Sequence, residues 1–291
     1  MGLNLFNKII NLEFLDDGKN VVAAIKCPKK GRKPSIEINA QFTAGDTMAL
    51  MNIKVRNLDL AEIGSNFPAV RVTAGYDDST VSFLCSIFSM YQESPGPESS
   101  TVIMAYIGKF EPYLLNTVSG LVQEGGSIED AVKLVSDALD FAAPVIDKKA
   151  AKLKTDTQLC LDGTAREALK KIKTAFPTVA ITVADDRLKV FLIDEPPKNA
   201  VARIRYMSAP VQLTGGKDCA VGAVVTAPWV PSLRCSEPVE ISTEFFNGKG
   251  GVSKNGSQTI IIPDRIDVQF ATTGTANKMV VTAHVNKQQG E

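Results

Sequence analysis

The stretch Asp162–Asp194, DGTAREALKKIKTAFPTVAITVADDRLKVFLID, decides how the chain is organised. Thr164 can cap a helix, and Glu167 three residues later completes a Thr-x-x-Glu box in which side chains and main-chain N–H groups satisfy each other. Ala165, Ala168, Leu169, Ile172, Ala175 and Phe176 recur at steps of three and four, which places them on one helical face. Pro177 ends the helix. Beyond it Ile181 and Val183 alternate with polar neighbours, Asp185-Asp186 make a turn, and Leu188, Val190 and Leu192 alternate again. The spacing predicts a helix followed by a hairpin, a module with no chemistry of its own.

Upstream, GSIEDAVKLVSDAL from Gly126 aligns with GTAREALKKIKTAF from Gly163, an offset of 37 residues. Each copy has Gly, a capping hydroxyl (Ser127, Thr164), an acid three residues on (Asp130, Glu167), then Ala and an aliphatic residue. Any capped amphipathic helix has this outline, and two copies alone do not make a repeat architecture. The middle of the chain therefore carries two short amphipathic helices, between about Phe110 and Asp194, flanked by β-rich segments.

Asn4–Ile25 is a mixed opening, followed by a Lys, Gly and Pro-rich loop at Cys27–Pro34. Strand-like alternation then covers Ser35–Phe42, Met51–Val55, Arg71–Gly75, Val81–Met90 and Thr101–Ile107, with an exposed hairpin tip expected at Gln92–Ser100. Glu195-Pro196-Pro197-Lys198 is the clearest punctuation and marks a domain edge. After it the pattern is β again: Ala202–Tyr206, Val211–Leu213, Ala220–Val225, Val239–Thr243, Thr259–Ile262, Asp267–Phe270 and Met279–Val285. Gly-rich loops interrupt it at Gly215-Gly216 and Asn247–Gly256. The fold class this implies is α+β, mostly β, with two antiparallel barrel-like domains (1–109 and 198–291) around a central α/β region (110–197).

The 291 residues hold 32 basic and 32 acidic side chains, so no net field calls for nucleic acid or an anionic membrane. Five scattered cysteines (Cys27, Cys85, Cys160, Cys219, Cys235) form no C-x-x-C pair, and the single histidine, His284, cannot build a zinc site alone. Met1–Ile10 is too polar and short for a signal peptide, so synthesis and folding in a cytoplasm with free thiols are expected. Neither Gly216-Lys217 nor Gly248-Lys249 has the spacing or the following hydroxyl of a phosphate-binding loop. No G-x-S-x-G elbow occurs, and Asp16-Asp17, Asp77-Asp78 and Asp185-Asp186 sit in turn contexts. The expectation is no catalytic residue, no cofactor and no metal.

Four stretches, in order, resemble the hub proteins at the distal end of bacteriophage tails and related contractile injection machines. They are DTMALMNIKVRNLDL (Asp46–Leu60), RVTAGYDD (Arg71–Asp78), the Gly-x-Ala-x-x-Ala-Leu helix and hairpin quoted first, and VGAVVTAPWVPSLRCSEPVEI (Val221–Ile241). In the last, Ala227-Pro228-Trp229 stands where the family more usually has an Asn-Pro turn.

The resemblance implies a homotrimer in the virion tail, assembled in the host bacterial cytoplasm. Each chain would supply two β blocks, so that three copies match a hexameric tail tube above and hold a threefold central spike below. The implied partners are further copies of the chain, the tail tube protein, the central spike protein and the tape-measure protein, with no membrane and no sequence-specific nucleic acid. Aromatic anchors are expected at such interfaces. Trp229, Tyr206 and Tyr76 are the candidates, with Tyr91 ranked beside Tyr76 below Trp229, and Trp229 is open to a core-filling role as well. A β-rich binding module of receptor-binding or adhesin type is the alternative reading.

Overall fold

The computed structural model describes residues 7–17, 19–28, 31–44, 48–58, 64, 67–77, 79–93, 99–108, 115–184, 186–192, 202–204, 212–214, 221–235, 237–241 and 259–285. They divide into two compact units. One comprises Met1–Phe42, Ala49–Ile107 and Ala200–Glu291, and the other Thr43–Met48 with Gly108–Asn199.

In chain order the first strands are β1 (Lys8–Leu15), β2 (Val21–Ile25), β3 (Ile36–Thr43), β4 (Leu50–Arg56), β5 (Ala69–Tyr76), β6 (Ser79–Glu93) and β7 (Ser100–Ile107). The middle holds β8 (Thr117–Val122), α1 (Ile128–Ala138), β9 (Ala142–Ile146), β10 (Leu159–Thr164), α2 (Ala165–Ala175), β11 (Val179–Ala184) and β12 (Arg187–Leu192). The last are β13 (Ala202–Ile204), β14 (Gln212–Thr214), β15 (Val221–Ala227), β16 (Val239–Ile241), β17 (Thr259–Ala271) and β18 (Asn277–Val285). The protein is mostly β, as its alternation predicts.

The first unit is one sheet of 13 strands, in the order β14-β15-β18-β17-β3-β4-β7-β6-β5-β1-β2, with β16 paired to β17 and β13 to β16 off this path. Strands from both ends of the chain meet at β17 and β3. There the main-chain N–H of Thr272 donates to the Ile36 carbonyl at 2.9 Å, and the Thr272 hydroxyl accepts from the Ile36 N–H at 3.0 Å. The sheet path is open at β14 and β2, so among the described residues no barrel closes. The N-terminal and C-terminal β segments are joined through this seam instead of each curling shut on itself. Alternation decides the buried side: Ile10, Leu12 and Phe14 on β1, Ile36 and Ile38 on β3, Met51 and Ile53 on β4 are all buried. Gly75, at φ 145°, closes on the Ser79 carbonyl so tightly that a Cβ would collide with main chain.

In the second unit the helix expected from Thr164 is α2, with its reciprocal cap in place. The Thr164 hydroxyl accepts from the Glu167 N–H at 3.3 Å, and the Glu167 carboxylate accepts from the Thr164 N–H at 2.8 Å. Ala165, Ala168, Leu169 and Ile172 are fully buried, as their spacing requires. Ser127 and Asp130 cap α1 in the same way, at 3.1 and 3.0 Å. Moving α1 forward by the 37-residue offset of the two Gly-initiated stretches lands on α2 end for end, and Ala142 at the start of β9 lands on Val179 at the start of β11. Ala131, Val132 and Val135 are buried at the positions equivalent to Ala168, Leu169 and Ile172. The correspondence thus extends from the sequence to the buried face.

The strand partners of the two copies differ. β8 pairs antiparallel with β10, β11 forms the expected antiparallel hairpin with β12, and β12 pairs parallel with β9. Pro144 lies in β9, the edge strand of its sheet, where a missing N–H is tolerated and discourages further pairing.

Candidate interaction surface

Two of the three aromatic anchors expected from sequence are brought together, inside the first unit rather than on its surface. Tyr76 is fully buried and Trp229 nearly so. The Tyr76 hydroxyl lies 2.7 Å from Asn277 Oδ1 and 3.1 Å from the Trp229 carbonyl oxygen. Asn277 Oδ1 also accepts from the Trp229 N–H at 3.2 Å. Both rings meet Phe270 edge-on, Tyr76 at 5.6 Å and Trp229 at 4.8 Å between centroids. Burial pushes the Tyr76 phenol up to about 12 from its ordinary 10.0. The node fastens β5 to the β15–β18 half of the sheet, and Trp229 fills core there. Tyr206 lies outside the described residues.

The surface that does expose aromatic rings lies elsewhere in the first unit and includes Tyr91, the candidate ranked low from sequence. An irregularity in β6, a strand of 15 residues, adds one ring to it. Up to Ile87, which pairs with Ala105, the odd-numbered residues Phe83 and Cys85 point into the core. The next pair is Ser89 with Met104, so Phe88 is an extra, unpaired residue. Such a bulge reverses the parity of everything after it. Met90 now lies opposite core-facing Ile103, and Tyr91 is turned to the outer side with Glu93.

Phe88 is 47% and Tyr91 42% exposed. The Phe88 ring rests on Tyr106 at 4.8 Å between centroids, 34° from parallel. Leu50 pairs directly with Tyr106 on the neighbouring strand. The outer side of β4, β7 and β6 thus carries Leu50, Tyr106, Phe88 and Tyr91. At its margin Lys54 reaches Glu93 at 2.6 Å and neutralises it.

Across β4 the same side becomes polar. A groove of about 450 Å³ is lined by Asn39 and Gln41 of β3, Asn52 of β4, and Asp267, Gln269 and Lys278 of β17 and β18. Gln41 donates to Asp267 at 3.1 Å, Gln269 donates to Glu37 at 3.2 Å, and Arg265 forms a two-pronged pair with Asp267 at 2.7 and 2.9 Å. Carboxamides and self-neutralised ion pairs make this a wettable wall with little net charge.

Among the described residues no group of three or more His, Cys, Asp or Glu could hold a metal ion, and no helix is long and apolar enough to cross a membrane. The thiol of buried Cys235 is pushed up to about 12 by desolvation and by the nearby Asp264, which leaves it protonated and unreactive at neutral pH. Only the backbone of His284 is described, in β18 opposite Gly222.

No family model matches the sequence, and no curated protein matches it either. Solved structures do match. A tail protein from Neisseria meningitidis MC58 aligns over 98% of this chain and 99% of its own, at 9% identity and a TM-score of 0.60. The 43 kDa tail protein of prophage MuSo2 from Shewanella oneidensis aligns over 97% and 100%, again at 9% and 0.60. An E. coli type VI secretion component, itself similar in structure to the T4 bacteriophage tail proteins gp27 and gp5, aligns over 89% and 76%, at 8% identity and a TM-score of 0.62. The chain has the fold of these proteins, from end to end in the first two.

Proposed function

We propose that the chain is a non-catalytic structural component of a bacteriophage tail or a related injection apparatus, and that it works there as a homotrimeric hub. Three copies would match a hexameric tail tube on one side and hold a threefold central spike on the other. Assembly would take place in the host cytoplasm and the product would reside in the virion tail. The observation that carries this reading is the shared fold with two tail proteins, one of them from a prophage, over essentially the whole of both chains. A fold held by strands from both ends of the chain suits a part that must keep its shape under load, and its chemistry lies in surfaces rather than in a pocket.

The test is direct. Light scattering on the purified chain should give three times the chain mass, and particle images should show threefold or pseudo-sixfold rings. A stable monomer at micromolar concentration, with no rings after mixing with the tube protein, would remove the hub reading.

A further inference from the structure

Where the two ends of the chain meet, the polar groups of the outer face stand in register. Lys278 pairs with Gln269 across β18 and β17, Asn39 pairs with Asn52 across β3 and β4, and β17 lies against β3 between them. A row of one ammonium and three carboxamides therefore crosses four strands, at the spacing of about 4.8 Å that neighbouring strands keep. The row beside it runs through Val280, Asp267, Gln41 and Leu50, polar in the middle and aliphatic at both ends.

These groups are fixed, and fixed one way round. Asn39 and Gln269 both donate to Glu37 Oε1, each at 3.2 Å, and Gln41 donates to Asp267 Oδ1 at 3.1 Å. A carboxamide whose nitrogen is tied in this way has its carbonyl oxygen left to accept. Among the described residues no donor reaches those three oxygens, and neither the Asn52 carboxamide nor the Lys278 ammonium has a side-chain partner. The groove of about 450 Å³ thus presents held acceptors, with a free donor at its Lys278 end. Charge narrows the choice of ligand. Glu37 and Asp267 beneath the row repel an anion, and Lys278 with the Asp267-bound Arg265 disfavours a lone cation. No aromatic ring of the kind that centres a protein interface lines the groove. A pyranose has what is left to ask for: no charge, hydroxyls that both donate and accept, and a C–H face to lie on Leu50 or Val280. The strand spacing is close to the length one such unit adds to an extended chain, so successive units meet successive members of the row. Acceptors already held in place cost little further order on binding.

We propose that the groove along Lys278, Gln269, Asn39 and Asn52 is a binding site for a neutral, unbranched pyranose oligosaccharide. The site lies within one unit of one chain, so it stands or falls apart from the trimer of the proposed function. The full-length chain is titrated by calorimetry with cellohexaose, xylohexaose, maltohexaose, mannohexaose and chitohexaose, and with hexagalacturonic acid as the anionic counterpart. Two double variants are compared with the natural sequence. In Asn52→Ala/Lys278→Ala neither side chain holds an internal hydrogen bond, so the thermal transition should be that of the natural chain. Asn39→Ala/Gln269→Ala removes two of the held acceptors. Tyr91→Phe, outside the groove, is the control.

At least one neutral hexasaccharide is expected to bind, each double variant to weaken it by roughly tenfold or more, and Tyr91→Phe to leave it unchanged. Should Asn39→Ala/Gln269→Ala fail to fold, the Asn52 and Lys278 pair decides alone. No binding of any neutral probe at millimolar concentration overturns the proposal, and so does a preference for hexagalacturonic acid over every neutral probe. A neutral ligand whose affinity the folded variants retain overturns the assignment to this groove. A monomeric chain that binds as expected removes the hub and leaves the site, and a trimer that binds nothing does the reverse.

Discussion

The hydroxyl of Tyr76 lies 3.1 Å from the main-chain carbonyl oxygen of Trp229, 153 residues further along the chain. The same hydroxyl is 2.7 Å from Asn277 Oδ1, so one side chain of β5 satisfies polar groups brought from the far end of the sequence. Tyr76→Phe keeps the ring against Phe270 and removes only the oxygen. It leaves buried acceptors short of a donor, which costs about 1–3 kcal/mol. Denaturant unfolding should show that loss, whereas Tyr91→Phe, at an exposed ring, should change stability by less than about 0.5 kcal/mol.

The same phenol makes an alkaline prediction. Burial raises it from 10.0 to about 12, so its contribution is intact below pH 10 and is lost as pH rises toward 12. Cys235, raised from 9.0 to about 12, adds loss that begins near pH 9. Tyr76→Phe, weaker at neutral pH, should therefore lose less stability than the natural chain between pH 10 and 12. A stability profile parallel to that of the natural chain over this interval would show that the phenol ionises at its ordinary value.

Both helix caps respond to acid. Asp130 is held below its ordinary value of 3.8 by hydrogen bonds from the Ser127 side chain and main chain, and Glu167 below 4.5 by those from the Thr164 main chain and side chain. A depressed carboxylate contributes stability that is present above its unfolded value and is lost as pH falls through its folded one. Helix content should therefore drop below about pH 4, and less so in Ser127→Ala/Thr164→Ala, which is already about 1 kcal/mol weaker per cap at neutral pH. Circular dichroism against pH reads both effects.

Leu169 and Val132 hold equivalent positions in the two helices, and both are fully buried. Leu169→Ala should cost about 2–5 kcal/mol by leaving a cavity. Val132→Ala removes less volume at the matching place and should cost less. Equal and negligible effects on melting would show that neither helical face is packed as described.

Legibility in the sequence followed how local each signal is. The helix and hairpin from Thr164 to Leu192 were readable because cap, periodicity, proline stop and turn all fall within one short segment and agree. β1 carries the same kind of signal, Ile10, Leu12 and Phe14 alternating with Asn11 and Glu13, but Ile9 and Leu15 blur it with apolar neighbours out of phase. The pairing of β3 with β17 joins residues 236 positions apart, and no local period encodes a partner at that distance. The Phe88 bulge was hidden for another reason. In VSFLCSIFSM apolar residues occupy both parities, so nothing marks the residue at which the ladder slips. Trp229 allowed contact or core from sequence, and only the position of Phe270 and Asn277 around it decides for the core.

Thr182 offers a test in the opposite direction, toward greater stability. It is 3% exposed, in β11 opposite Lys189, and its hydroxyl is a buried side-chain oxygen with no hydrogen-bond partner among the described residues. A hydroxyl taken out of water without a partner costs about 1–3 kcal/mol relative to one that is paired. Valine has nearly the same shape, suits a strand at least as well, and carries a methyl in place of the oxygen. Thr182→Val should therefore raise the unfolding free energy by about 1 kcal/mol. Thr182→Ser keeps the orphan oxygen, deletes the methyl and should lower stability by about 1 kcal/mol. If valine instead proves destabilising while serine is tolerated, the hydroxyl has a partner in solution, and a bound water bridging it to a neighbouring strand is then the structure to look for.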